Sequence, residues 1–197
     1  MRKIVLASGS PRRKKLLEQI GLKFTVSESG YEEKYLPNAN PIDVAKFMSL
    51  EKANLAAIKH NDAIIIAADT VVVIGDEILG KPSSEEQARE MLRKLSDNTH
   101  SVITGFTIID TQNNKTHTSH VETKVTFKDL SELEMAAYVE TGEPMDKAGA
   151  YAIQGKAGMF VKRIDGDYFN VVGLPLFAIS EALSDFGVDI LGVHEER

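Results

Sequence analysis

Residues 4–17 read Ile4-Val5-Leu6-Ala7-Ser8-Gly9-Ser10-Pro11-Arg12-Arg13-Lys14-Lys15-Leu16-Leu17. The apolar run at the start predicts a buried strand over residues 3–7. Ser10 is a good N-cap and Pro11 a good first helical residue, so a helix is expected to start there and run to about residue 20. Leu16, Leu17 and Ile20 give that helix one apolar face. A strand feeding straight into a helix is the opening of an α/β fold. Yet Arg12, Arg13, Lys14 and Lys15 crowd the first turn, where the helix end is already partly positive. Each cation there is unfavourable by roughly 0.3–1 kcal/mol. Either the basic turn is simply solvated, or an anion compensates it. Free amides, the hydroxyls of Ser8 and Ser10, a glycine that admits close backbone approach and the forks of Arg12 and Arg13 together suit a polyphosphate.

Composition narrows the setting. A chain of 197 residues can bury a substantial core without disulfides or metal staples. There are no cysteines, which removes thiolate zinc sites and cysteine nucleophiles and is compatible with a reducing cytosol. The formal net charge of -6 argues against a general nucleic-acid binder, so the basic cluster reads as a pocket and not as part of a broad basic face. No apolar run is long enough for a signal peptide or a membrane span. A cytoplasmic protein is expected.

Outward from the first helix, residues 24–26 suggest a short strand and 27–40 a polar loop. Asn40-Pro41 begins a helix to about residue 60, with an apolar stripe of Val44, Phe47, Met48, Leu55 and Ile58. Residues 63–74 read as the most buried strand, interrupted by Asp69-Thr70, with a hairpin at Gly75-Asp76. Ser84 with Gln87, and Ser131 with Glu134, resemble capping boxes. The second would start a helix that includes Leu133 and Val139. Strands are expected over 102–109 and around Val121, Thr123, Val125 and Phe127. Residues 142–158 read as a glycine-rich functional loop. A hairpin is expected around 165–168, a last helix over 175–186, and a frayed tail at 193–197.

Several side chains have two readings. Asp69 lies inside an apolar strand, and a buried carboxylate needs compensation. A metal or substrate would supply it, but so would backbone hydrogen bonds. Lys52 borders the apolar stripe of its helix and could simply snorkel. Lys81 follows a hairpin and points into a cleft or into solvent. Glu32 and Glu33 are loop acids. Asp165 and Asp167 most simply form turns. Gln154 offers the donor and acceptor that reading a base edge requires. No Walker A motif, GxGxxG fingerprint or HExxH is present. A hydrolase here would work with carboxylate, metal and cations.

Five motifs then occur in order: Ser8-Gly9-Ser10-Pro11-Arg12-Arg13; Ala68-Asp69-Thr70; Gly80-Lys81-Pro82; Asp146-Lys147-Ala148-Gly149-Ala150-Tyr151 with Ile153-Gln154-Gly155; and Asp165-Gly166-Asp167-Tyr168 with Gly173-Leu174-Pro175. Over almost the whole chain this resembles the Maf proteins. The resemblance implies an α/β fold with an elongated mixed sheet, two lobes and a deep cleft, similar to inosine-triphosphate pyrophosphatases, with residues 1–197 forming one catalytic domain. It implies hydrolysis of a nucleoside triphosphate to monophosphate and pyrophosphate with a divalent cation, Mg²⁺ or Mn²⁺. Asp69 would be the general base, and Asp69 and Glu33 the metal ligands. Ser8, Ser10, Arg12, Arg13, Lys52 and Lys81 would hold the phosphates, and Arg12, Thr70 and Gln154 would set specificity. The form of the fourth motif resembles the branch acting on dTTP and UTP, with modified pyrimidine nucleotides as further candidates, and not the sister branch acting on 7-methyl-GTP. A homodimer is a family expectation, and neither nucleic acid nor membrane is an expected partner. The family's association with septum formation leaves a second reading, a nucleotide-binding regulator acting through protein contacts.

Overall fold

The structure is a computed structural model and describes residues 2–28, 30–31 and 39–192. The expected loop at 27–40 and tail at 193–197 lie largely or wholly outside these residues. The apolar run at the amino end forms β1 (Lys3–Leu6), and the next two strands in space are β2 (Thr25–Val26) and β3 (Ala63–Ile74). Both run parallel to β1, with Leu6 opposite Val26 on one side and Ile66 on the other. Parallel neighbours need crossover connections. These are supplied by α1 (Pro11–Gln19) between β1 and β2, and α2 (Pro41–Ala57) ahead of β3.

The remaining strands are β4 (Glu77–Leu79), β5 (Thr99–Asp110), β6 (Lys115–Phe127) and β7 (Val161–Asp165). The seven strands follow the order β2-β1-β3-β5-β6-β7, with β4 paired to β3. The β3–β4 and β6–β7 pairs are antiparallel, so the sheet is mixed, as expected from the sequence. The other helices are α3 (Glu85–Leu95), α4 (Glu132–Glu140), the short α5 (Tyr168–Val172) and α6 (Leu176–Ser184). Residues 142–160 form three 3-10 turns, Glu143–Asp146, Ala148–Ala150 and Lys156–Phe160.

The chain divides into two compact units. The first comprises Met1–Asp69, Thr104–Val121 and Gly173–Arg197. Part of its core is a layer of Val5, Ala7, Ala53, Ala56, Ile65, Ala67 and Ile109. The second comprises Thr70–Ile103 and Glu122–Val172. Its core gathers Val72, Leu79, Leu92, Phe127, Tyr138, Tyr151 and Phe160, with aromatic rings meeting edge to face.

Local departures from the expected pattern have identifiable causes. Helix α2 buries Val44 and Met48 of the expected stripe, but joins to them Ala45, Ser49, Lys52, Ala53 and Ala56 in place of Phe47, Leu55 and Ile58. Phe47 is 55 % exposed and Ile58 80 %. Small residues bring the helix backbone onto the sheet: a Cβ on Gly105 of β5 would lie 2.3 Å from the Ala45 carbonyl carbon and oxygen. Close approach of backbones outweighs the burial of Phe47 and Ile58, which face outward. In α4 the capping box of Ser131 and Glu134 forms as read, but Leu133 is exposed. Ser84 does cap α3, whereas Gln87 reaches back to accept from the Ser83 amide and hydroxyl, one residue earlier than expected. No hairpin forms around residue 166. The Asp167 carboxylate accepts from the Phe169 amide at 2.7 Å, and the chain turns into α5. Asn170 is then buried and donates to the Val102 carbonyl and to Thr123 Oγ1, both at 2.9 Å.

Candidate nucleotide site

Three parallel strands set the first unit's site. Beyond the Leu6–Ile66 pair, β1 reaches Ser8 after two residues and β3 reaches Asp69 after three. Ser8 therefore stands past the carboxyl end of β1, where α/β sheets characteristically bind ligands, and Asp69 stands inside β3, three residues beyond the last pair with β1. The backbone leaves β1 with the Ala7 amide bound to the Ile66 carbonyl at 2.8 Å, then turns into α1.

Ser8 is buried, and its hydroxyl oxygen accepts from the Ser10 amide at 3.2 Å and from Arg13 Nη1 at 3.2 Å. Arg13 Nε donates to the Gly173 carbonyl at 2.8 Å, so this guanidinium is oriented from two sides. Ser10 occupies the N-cap with extended backbone, but its side chain makes no capping hydrogen bond. The first turn of α1 holds no acid. Its amides thus receive no acceptor from Ser10 and no compensating charge from the turn itself, while Arg12 and Arg13 stand half-buried beside them. That arrangement favours an external anion.

Lys52 does not snorkel. It is 8 % exposed and Asp69 is 3 % exposed, and the ammonium forms an ion pair with Asp69 Oδ1. Lys52 comes from the face of α2 that Gly105 lets settle onto the sheet, so helix packing delivers the cation to the carboxylate. Desolvating both groups is costly, and removing either partner would strand a buried charge. A carboxylate with its counter-charge, next to a cationic helix start, is an arrangement maintained for chemistry more readily than for stability.

The second unit holds the other expected site residues. Thr70 follows Asp69 on β3 and is half-buried. Lys81 is exposed just after β4. The neighbouring Gly80 carbonyl accepts from the Gly149 amide at 3.0 Å, which ties the Gly80-Lys81-Pro82 motif to the Asp146–Tyr151 motif. Gly149 has φ +67°, and a Cβ there would lie 2.8 Å from Val72 Cγ1, so only glycine makes this junction. Gln154 is exposed in the turn that the Gly155 amide closes onto the Ala152 carbonyl at 3.0 Å. Asp167 serves the chain turn, as expected, by accepting from the Phe169 amide, whereas Asp165 is the last residue of β7, opposite Lys124.

Glu33 lies outside the described residues. Among the described residues no group of three or more His, Cys, Asp or Glu side chains could hold a metal by itself. Asp69 offers one hard carboxylate. Mg²⁺ is ordinarily held by one or two carboxylates together with substrate phosphates and waters. The donor set therefore fits an ion completed by a triphosphate. The Gly173 carbonyl and the full burial of Lys52 were not legible in sequence, because both depend on contacts between distant segments.

The family model described as Maf-like protein matches residues 3–186. A protein of Bacillus cereus (strain AH820) named dTTP/UTP pyrophosphatase is 48 % identical over 190 residues, covering 96 % of this chain and 98 % of its own length. One of the same name from Methanococcoides burtonii is 49 % identical over 191 residues, with the same coverage. Among solved structures, a HAM1 protein from Coxiella burnetii superposes with a TM-score of 0.51 at 15 % identity, covering 94 % of this chain and all of that one. At that identity the likeness concerns the fold alone, and it agrees with the fold class the motifs implied. No described helix is long and apolar enough to cross a membrane.

Proposed function

The chain belongs to the Maf family, and from that premise we propose that it is a pyrophosphatase hydrolysing dTTP and UTP to the monophosphate and pyrophosphate. The names of relatives at about 48 % identity carry this reading. The buried Lys52–Asp69 pair supports it, as a charged site with no evident structural purpose. Nothing favours the septum-regulator reading over it. In this proposal the chain acts as one catalytic domain on free nucleotides in the cytoplasm, with modified pyrimidine triphosphates as further substrates and a homodimer as its assembly.

Water attacks the α-phosphorus, and the bond to the β-phosphate's bridging oxygen breaks as pyrophosphate leaves. Asp69 accepts the proton of the attacking water. Lys52 orients that carboxylate. The Ser8 and Ser10 hydroxyls, the α1 amides, Arg12, Arg13 and Lys81 bind the phosphates and stabilise the charge that accumulates on the departing pyrophosphate. Arg12, Thr70 and Gln154 hold the pyrimidine, and a base that leaves their polar groups unpaired is rejected. A divalent cation, Mg²⁺ or Mn²⁺, would be held by Asp69 and Glu33 and, when bound, neutralises phosphate charge.

The test is incubation with Mg²⁺ or Mn²⁺ and a panel of triphosphates, with products separated chromatographically. UMP and pyrophosphate from UTP are expected. UDP and inorganic phosphate would place attack at the γ-position and overturn the mechanism.

A further inference from the structure

We infer that Glu143 is a positioning residue for the turn that carries Gln154, and through it a determinant of base discrimination. The inference rests on the reading of Gln154 as a base-contacting residue. The two carboxylate oxygens of Glu143 have different tasks. Oε1 accepts from the Tyr138 hydroxyl at 3.0 Å, and Oε2 accepts from the Lys156 backbone amide at 3.1 Å. One acid thus ties α4 to the far end of the Gln154 turn.

Both anchors of this clamp are fixed. Tyr138 is buried, with its ring edge-on to Phe160 at 5.1 Å. Burial and the adjoining carboxylate push its phenol up, so it stays a proton donor. The backbone of Glu143 is held as well. Left-handed Gly142 (φ +72°) ends α4, and the Glu143 amide donates to Thr141 Oγ1 at 3.2 Å. On the turn side, Gly155 lies flat against the acid, and a Cβ there would lie 2.0 Å from Glu143 Oε1. The Gly158 amide then donates to the Gly155 carbonyl at 3.0 Å. Gln154, next to Gly155, is itself exposed, so its backbone is held by its neighbours' contacts.

Rigidity matters here for a chemical reason. A carboxamide presents a donor and an acceptor on one plane, and rotation by half a turn exchanges them. Uracil and cytosine differ at the base edge by just such an exchange. A Gln154 free to turn over would serve both bases. A fixed turn sets the point and direction from which its side chain reaches the base, and so limits which orientation the carboxamide adopts there.

The test compares kcat and KM for UTP and CTP, which share sugar and phosphates. Glu143→Ala is expected to lower the ratio of kcat/KM for UTP to that for CTP by about tenfold, mainly by raising KM for UTP. Glu143→Gln is expected to restore most of the ratio. Its carbonyl can take the Lys156 amide while its NH₂ donates to the Tyr138 hydroxyl. Gln154→Ala should lower the same ratio, and the Glu143→Ala/Gln154→Ala double variant should be no worse than Gln154→Ala alone. Equal losses on both substrates in Glu143→Ala, or additive losses in the double variant, would overturn the positioning role. An unchanged ratio in Gln154→Ala would instead sink the base-contact reading, and the inference with it. Should Glu143→Ala fail to fold, Tyr138→Phe and Gly155→Ala, which loosen the clamp from either end, must shift the ratio in the same direction, and an unchanged ratio there overturns the role too.

Discussion

At the scale of single residues, activity and stability can be separated at Asp69 and Lys52. The two form one buried ion pair, so removing one partner acts on the other. Asp69→Asn keeps the shape of the side chain but removes the proton acceptor. Turnover of UTP should fall about 10³-fold, while nucleotide binding, followed by equilibrium dialysis, largely persists. Lys52→Met takes the paired ammonium away from the buried Asp69 carboxylate and should cost about 3–5 kcal/mol in a urea titration. The double variant restores neutrality and should recover most of that stability while remaining inactive. If the double variant is no more stable than Lys52→Met, the two charges are not coupled as the ion pair implies. The sequence made Asp69 conspicuous because a lone acid stood among isoleucines and valines. Lys52 stayed ambiguous, since a lysine beside an apolar stripe has the same local pattern whether its ammonium reaches water or a carboxylate.

At the scale of elements, helix α2 is where local pattern failed most instructively. Hydropathy weights Phe47, Leu55 and Ile58 heavily, yet alanines and Ser49 face the sheet. What decides the face is how near two backbones can come, and that depends on Gly105, dozens of residues downstream. Gly105→Ala would push a methyl into the Ala45 peptide. Because backbone cannot yield as a flexible side chain does, a loss of about 3 kcal/mol is expected from the denaturation midpoint. Activity should suffer too, as α2 carries Lys52. By contrast, the long buried run of β3, the Asn40 cap and the Ser131–Glu134 capping box were legible, because they are written within a few consecutive residues. Ser131→Ala should cost about 1 kcal/mol, measurable by the same titration. The segment after Asp165 misled because Asp-Gly-Asp is good hairpin chemistry locally. The contacts of Asn170 with Val102 and Thr123 are distant in sequence and convert it to a helix.

For the whole molecule, the response to acid follows from a few groups held away from their ordinary titration. His100 is buried among Phe127 and Tyr151, with Nε2 bound to the Tyr151 hydroxyl at 2.8 Å. Among the described residues its Nδ1 has no hydrogen-bond partner, and burial lowers its pKa from 6.5 to about 4. The folded chain therefore resists protonation here while the unfolded chain accepts it. Between pH 6.5 and about 4 the unfolded state binds more protons, so stability falls as pH falls. A depression of this size corresponds to about 3 kcal/mol once the pH is below both values, with about 2 kcal/mol of it lost by about pH 5. The carboxylates act later. Arg2 holds Asp110 well below the usual range, and Lys128 with Ser131 lowers Glu134 to about 2, so their contributions vanish only as pH falls through those lower values. The first acid loss should thus belong to His100. His100→Gln is neutral at every pH and retains a partner for Tyr151. Urea titrations at about pH 7 and about pH 5 should show the wild-type midpoint dropping far more than that of the variant. Parallel declines in the two proteins would mean that the early acid limb has another origin, and that the buried imidazole is already protonated when folded.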